Sequence, residues 1–286
     1  MEHGRGMVHA REVRSLAEGL LGVALAVGRL QMAYFAGGVR AEEKADRTPV
    51  TAADRESEAQ ILAGLARIAP GVPVIAEEQC GAGGTPTIGD TFFLVDPLDG
   101  TKGFIAGRAD FTINVALIEA GRPVFGLVYA PARADLSVTL GPDQAVNVQL
   151  DPRAAVRSLA DCTLRAIKTR VPDLRRLRAL TSHAHLNAAT EQFLDGFGVV
   201  ERHALASSLK FALLARGEAD LYPRLGPTRE WDTAAGHAVL AAAGGSVTTL
   251  EGTPLRYGHA ERGYGIGAFV AWGKEPLPRH ADDPSR

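Results

Sequence analysis

The string Asp96-Pro97-Leu98-Asp99-Gly100-Thr101 sets two carboxylates three residues apart, directly after the apolar run 91–95. Pro97 fixes one φ angle and stiffens the turn, while Gly100 has no side chain to block the N–H groups of the turn that follows. A phosphate could dock on those amides. By itself the string could equally be two aspartates capping a turn. Two further acids keep it company: Glu77 follows the apolar run 72–76, and Asp232 opens a stretch rich in small residues, Ala234, Ala235, Gly236 and Ala238. Alone, Asp232 would be an ordinary acid at the positive end of a helix. Brought together, carboxylates about 4 Å apart repel by roughly 4 kcal/mol per pair at an effective dielectric of about 20. Stability does not select such a cluster. Hard divalent cations such as Mg2+ resolve it, and a pair of them can activate water and stabilise a leaving oxygen in phosphoryl hydrolysis.

These acids need elements to carry them. Leu16, Leu20, Val23, Val27, Leu30 and Tyr34 recur at steps of four and three, the stripe of a helix packed on a core. Thr51 and Asp54 have capping-box spacing and predict a second helix, Ala52–Ile68, with Ile61, Leu62, Leu65 and Ile68 on one side and Pro70-Gly71 as its stop. Runs 72–76, 91–95, 111–118 and 124–129 read as strands, the last two joined around Gly121, and 81–84 as a flexible glycine-rich loop. This part is α+β. From about Leu150 the composition turns to Ala, Arg and Leu, and a helix at 207–215, a strand at 219–222, a helix at 231–243 and a strand at 246–250 predict an α/β second part. We expect one unit over residues 1–150, a second over 151–272 and a mobile tail over 273–286. The basic cluster Arg165, Lys168, Arg170, Arg175, Arg176 and Arg178 reads as a solvated face.

The chain has 286 residues, 46% of them hydrophobic, with 31 Lys and Arg against 33 Asp and Glu. A net charge of -2 offers no field for gripping a nucleic acid polymer, though a small anionic substrate stays open. Cys80 and Cys162 lack C-x-x-C or zinc spacing and fit a reducing, cytoplasmic compartment. Cys80, near Glu77 but without a basic neighbour, reads as inert. Arg5, Arg11 and Arg14 precede the apolar stretch 20–27 in the manner of an export signal. Glu18, Arg29 and Gln31 border or interrupt that stretch, which is shorter than the roughly 20 apolar residues of a membrane span, so no transmembrane segment is expected.

Two motifs, Asp96 to Thr101 (D-P-x-D-G-T) and Trp231 to Gly236 (W-D-x-A-x-G), resemble the signatures of the lithium-sensitive, magnesium-dependent phosphatases related to inositol monophosphatase, and the likeness runs from about Leu16 to Phe269. Pro49-Val50-Thr51-Ala52-Ala53-Asp54, DPLDGTKGFI, Ser207-Ser208-Leu209-Lys210-Phe211 and ADLYPRLGPTREWDTAAG look like its 3'(2'),5'-bisphosphate nucleotidase branch. The resemblance implies a mixed α/β fold, a layered αβαβα sandwich with a metal cleft between two subdomains. It implies two or three Mg2+ ions: Glu77, Asp96 and the Leu98 carbonyl on one, and Asp96, Asp99 and Asp232 on a second. Leu98, Asp99, Gly100, Thr101 and Asp232 would also face the substrate, with the Gly100 and Thr101 amides on the scissile phosphate. Thr101, supported by Asp54, and Glu77 would prepare the attacking water without a phosphoenzyme. In keeping with that, the chain has no D-x-D-x-T string and no Walker A loop.

Ser182, His185 and Lys210 look like the family's nucleotide-contacting positions, although each type is also an ordinary surface residue. The chain departs from the branch at Ser182-His183-Ala184-His185, where S-R-S-H is usual, and at Ala206, where glycine is usual. His183 and His185 have zinc-binding chemistry but no third ligand in view. The implied activity is hydrolysis of the 3'-phosphate of adenosine 3',5'-bisphosphate to AMP and phosphate, recycling a by-product of sulfate assimilation. The alternatives are an inositol or sugar phosphatase using the same site, and a non-catalytic nucleotide sensor, which would need no water-activating set. A place against the cytoplasmic side of the inner membrane, described for some relatives, finds no lipidation signal or strongly basic amphipathic helix here. Oligomeric state stays open.

Overall fold

The apolar run at 91–95 continues as a strand, Thr91–Asp99, that is buried on both faces. Phe92 and Leu94 enter one apolar cluster, while Phe93 and Val95 enter another. A strand clothed on two sides reads as a continuous apolar run rather than an alternating one. That duality defines the layers.

The computed structural model describes residues 3–38, 41–43, 49–84, 86–183 and 187–277. Seven helices occur among them: α1 (His3–Gly37), α2 (Ala52–Ile68), α3 (Glu77–Gly81), α4 (Thr101–Ile105), α5 (Ala188–Asp195), α6 (Leu209–Ala215) and α7 (Glu230–Ala242). A seven-stranded sheet runs in the order Val74–Ala76, Thr91–Asp99, Thr112–Glu119, Arg122–Ala130, Asp135–Gly141, Gln144–Gln149, Arg165–Ile167, with only the first pair parallel. A five-stranded sheet runs Glu201–Leu205, Arg178–Ser182, Leu221–Arg224, Phe269–Trp272, Ser246–Thr249. Helices α1 and α2 cover the outer face of the first sheet, α6 and α7 lie between the sheets, and α5 covers the second, giving five layers αβαβα.

Several sequence expectations hold to the residue. Helix α2 spans Ala52–Ile68, with both halves of the Thr51/Asp54 capping box formed. Helix α1 buries Leu16, Leu20 and Val27 of the expected stripe together with Val13, Leu21 and Leu25, while Val23, Leu30 and Tyr34 are half-buried. From Arg11 to Gly37 it is long and apolar enough, by length and composition, to cross a membrane, yet this apolar face packs into the core against α2 and the sheet. Glu77 and Glu78 open a one-turn helix, α3, which takes in Gly81 of the stretch 81–84 expected as a loop. The Glu58 carboxylate accepts from the first amides of that turn, Glu78 N (2.8 Å) and Gln79 N (2.9 Å). The chain passes from the first sheet to the second between Ile167 and Arg178, whereas the composition shifts near Leu150. Of the expected tail, residues 278–286 lie outside the described residues.

Helix α7 is wedged. A Cβ at Gly126 of the first sheet would stand 2.1 Å from the Ala235 carbonyl oxygen, and one at Gly236 would stand 2.5 Å from the Phe211 ring of α6. The small residues after Asp232 therefore let α7 seat closely between sheet and helix, which fixes the position of Asp232 at its first turn.

Candidate active site

Asp96 and Asp99 sit at the end of the long strand, where its pairing with Thr112–Glu119 slips register between them. The slip aims both carboxylates to one side, as bulges do. Gly100 follows with φ +98°, a left-handed conformation that favours glycine, and turns the chain into α4. Asp96 accepts from Leu98 N (3.0 Å), and Asp99 from Ser208 N (2.6 Å) and Asn114 Nδ2 (3.4 Å). Asp232 accepts from the Thr228 hydroxyl and from Arg229 N (3.1 Å). The Thr101 hydroxyl donates to Asp54 Oδ1 (3.0 Å), with the Leu98 carbonyl at 3.1 Å as a second acceptor. The other oxygen of Asp54 accepts from Thr51 N (2.8 Å) and Thr51 Oγ1 (2.6 Å).

Glu77, Asp96, Leu98, Asp99, Gly100, Thr101 and Asp232 all line one cleft of about 250 Å³. Burial pushes Asp96 well above the usual carboxylate range, and Glu77, Asp99 and Asp232 add to it. Burial also raises Asp99 to about 7, with Asp232 adding and Lys210 opposing. Buried acids that resist ionising one another are a poor structural device and a good cation trap. Among the described residues no three His, Cys, Asp or Glu side chains stand grouped closely enough to form a ready-made metal site. They stand around the cleft, and this all-oxygen donor set fits Mg2+.

The same cleft also carries cationic groups. Lys210 is fully buried, donates to the Ser207 carbonyl (2.6 Å) and the Leu205 carbonyl (3.2 Å), and lies 4.9 Å from the centre of the Tyr222 ring. Burial pulls its ammonium down to about 8, while Asp99 counters. Arg224 also lines the cleft; its Nη2 donates to the Pro227 carbonyl (3.0 Å), and its buried Nε has no hydrogen-bond partner among the described residues.

Of the residues read from sequence as nucleotide contacts, Ser182 and Lys210 line this cleft, as does Ala206. His185 lies outside the described residues, and His183 is exposed. Arg224, Arg108, Ser208 and Asn114 escaped the sequence reading. Asp110 did as well; its carboxylate accepts from Ala206 N (2.8 Å) and its carbonyl from the Ser207 hydroxyl (2.7 Å), tying the two loops that flank the cleft. Arg224 and Ser208 lie within the strings ADLYPRLGPTREWDTAAG and Ser207-Ser208-Leu209-Lys210-Phe211, which carried the family likeness without assigning either residue a role.

Comparison with known proteins agrees with this geometry. Residues 12–275 match the model of the inositol monophosphatase family. The 3'(2'),5'-bisphosphate nucleotidase CysQ of Escherichia coli K12 is 41% identical over 214 residues, 75% of this chain and 81% of that protein. Its counterpart from Buchnera aphidicola is 36% identical over 219 residues, 77% of this chain and 78% of that protein. Among solved structures, CysQ from Bacteroides thetaiotaomicron superposes with a TM-score of 0.73 at 31% identity, covering 90% of this chain and 97% of that one. An inositol monophosphatase from Zymomonas mobilis gives 0.68 at 25% identity, covering 88% and 90%.

Proposed function

Because the chain belongs to the inositol monophosphatase family, we propose that it is a Mg2+-dependent 3'(2'),5'-bisphosphate nucleotidase that removes the 3'-phosphate of adenosine 3',5'-bisphosphate and leaves AMP. The observation that carries this reading is the pairing, in one cleft, of four carboxylates with two buried cationic groups, Lys210 and the Nε of Arg224. A substrate with one phosphate answers only the first wall. A bisphosphate answers both, the scissile group toward Thr101 and the second toward Lys210 and Arg224.

Glu77, Asp96, the Leu98 carbonyl, Asp99 and Asp232 would hold Mg2+, which supplies charge stabilisation for the phosphoryl oxygens and makes water acidic enough to attack. The amides of Gly100 and Thr101 hold the scissile phosphate. Thr101 Oγ1 accepts a proton from the attacking water as its own hydroxyl proton passes to Asp54 Oδ1. The bond from phosphorus to the 3'-oxygen breaks in line, and that oxygen takes up a proton from solvent. Thr51 keeps Asp54 in place throughout through its backbone and hydroxyl donors. The spacing of Cys80 and Cys162, with no C-x-x-C or zinc pattern, supports the cytoplasm as the place of work.

Phosphate release from adenosine 3',5'-bisphosphate and from inositol 1-phosphate, compared by kcat/KM with Mg2+, tests the reading. A preference for the nucleotide of about a hundredfold, roughly 2.7 kcal/mol of transition-state discrimination, is expected. Comparable or reversed rates would move the function to an inositol or sugar phosphatase, and no release from either would make the protein a nucleotide sensor.

A further inference from the structure

Gln31 is the polar residue that breaks the apolar face of α1, and it is completely buried. Its Nε2 donates to the Pro97 carbonyl (2.7 Å) and to Ser57 Oγ (3.1 Å), while its Oε1 has no partner among the described residues. A methionine or leucine would fill the same helix face without leaving a buried acceptor orphaned. Packing therefore does not explain the amide. Its donors do.

The Pro97 carbonyl and the Leu98 N–H are opposite edges of one peptide unit, and that unit is planar and stiff. Gln31 grips the carbonyl edge. On the N–H edge, Leu98 donates to Asp96 Oδ1 at 3.0 Å. The Asp96 carboxylate thus leans on a plane whose far side is anchored to α1. The second donor bond of Gln31 goes to Ser57, one turn beyond Asp54 on α2, so the same side chain ties the Asp96 loop to the helix that carries Asp54.

We propose that Gln31 is a positioning residue that sets the orientation of the Asp96 carboxylate through the Pro97–Leu98 peptide plane, and with it the affinity of the site for Mg2+. This rests on the Mg2+ reading of the site given above. It also gives a purpose to a buried amide in the middle of an apolar stripe.

Mg2+ titrated calorimetrically into substrate-free protein is the test, with circular dichroism and a thermal midpoint for each variant. Gln31→Met keeps the length and removes the donors; it should stay folded and bind Mg2+ at least tenfold more weakly. Gln31→Asn keeps the amide but falls one carbon short of Pro97 and should weaken Mg2+ similarly. Ser57→Ala, which removes only the second acceptor, should change affinity by less than threefold. A folded Gln31→Met or Gln31→Asn protein with Mg2+ affinity within twofold of wild type would overturn the proposal. If neither variant folds, the residue serves stability and the positioning role is withdrawn. Wild-type protein that takes up no Mg2+ at all would instead sink the metal reading itself, a failure distinguishable from that of Gln31.

Discussion

The acidic wall of the cleft and its cationic wall are held still by opposite kinds of group. Donors hold the acids: Leu98 N on Asp96, Ser208 N on Asp99, the Thr228 hydroxyl and Arg229 N on Asp232. Carbonyls hold the cations: those of Leu205 and Ser207 on Lys210, and that of Pro227 on Arg224. Among the described residues no salt bridge closes the two walls on each other. Charges that are fixed in place and not joined in a salt bridge remain available to a ligand. Here that ligand must offer cation chemistry to one side and a second anion to the other.

The largest break in this contrast should come from the acidic wall. Asp99→Asn should lower kcat/KM by about a thousandfold, roughly 4 kcal/mol, with the thermal midpoint little changed. Retention of more than a tenth of the activity would take Asp99 out of the machinery. Next, Thr101→Val should cost about a hundredfold in kcat by removing the proton relay to Asp54, while Mg2+ binding measured without substrate stays as in wild type. The cationic wall should respond differently. Lys210→Met should raise KM for the bisphosphate about thirtyfold and KM for a monophosphate less than threefold, and equal effects on both substrates would remove Lys210 from recognition of the second phosphate.

The smallest effect separates the cleft from the rest of the fold. His237, buried on α7 with its Nδ1 3.0 Å from the Tyr257 hydroxyl, is held down at about 3 by burial, with Arg256 assisting. The unfolded chain takes up the proton near pH 6.5, so the stability this neutral ring contributes is full above about 6.5 and lost as pH falls toward 3. Between pH 6.5 and 4.5, wild type should lose about 2 kcal/mol more unfolding free energy than His237→Gln, as read from urea denaturation. Parallel pH profiles would show that the acid sensitivity lies elsewhere.

What was legible in the sequence was whatever is written locally. The start of α2 is a capping box within four residues and its end a Pro-Gly pair, so both were readable. Asp96 and Asp99 were readable because they stand three residues apart in one short string, and Asp232 because small residues follow it. The strands Asp135–Gly141, Arg178–Ser182 and Glu201–Leu205 and helix α5 were not. Ser137 and Thr139 are buried polar residues that break the apolar pattern, and Glu201–Leu205 is a largely exposed strand at the sheet's edge. Ser208, Asn114 and Asp110 act on residues about a hundred positions away or bridge loops that far apart, and no spacing rule reaches across such a gap.

The two oxygens of Asp54 serve different masters: one receives Thr101, the other closes the start of α2. Losing such a cap costs about 1 kcal/mol of helix stability. Replacing Asp54 by a residue with no acceptor would therefore remove the proton relay and loosen the start of α2 at once, whereas Asp54→Asn, which keeps an acceptor oxygen, would separate the two.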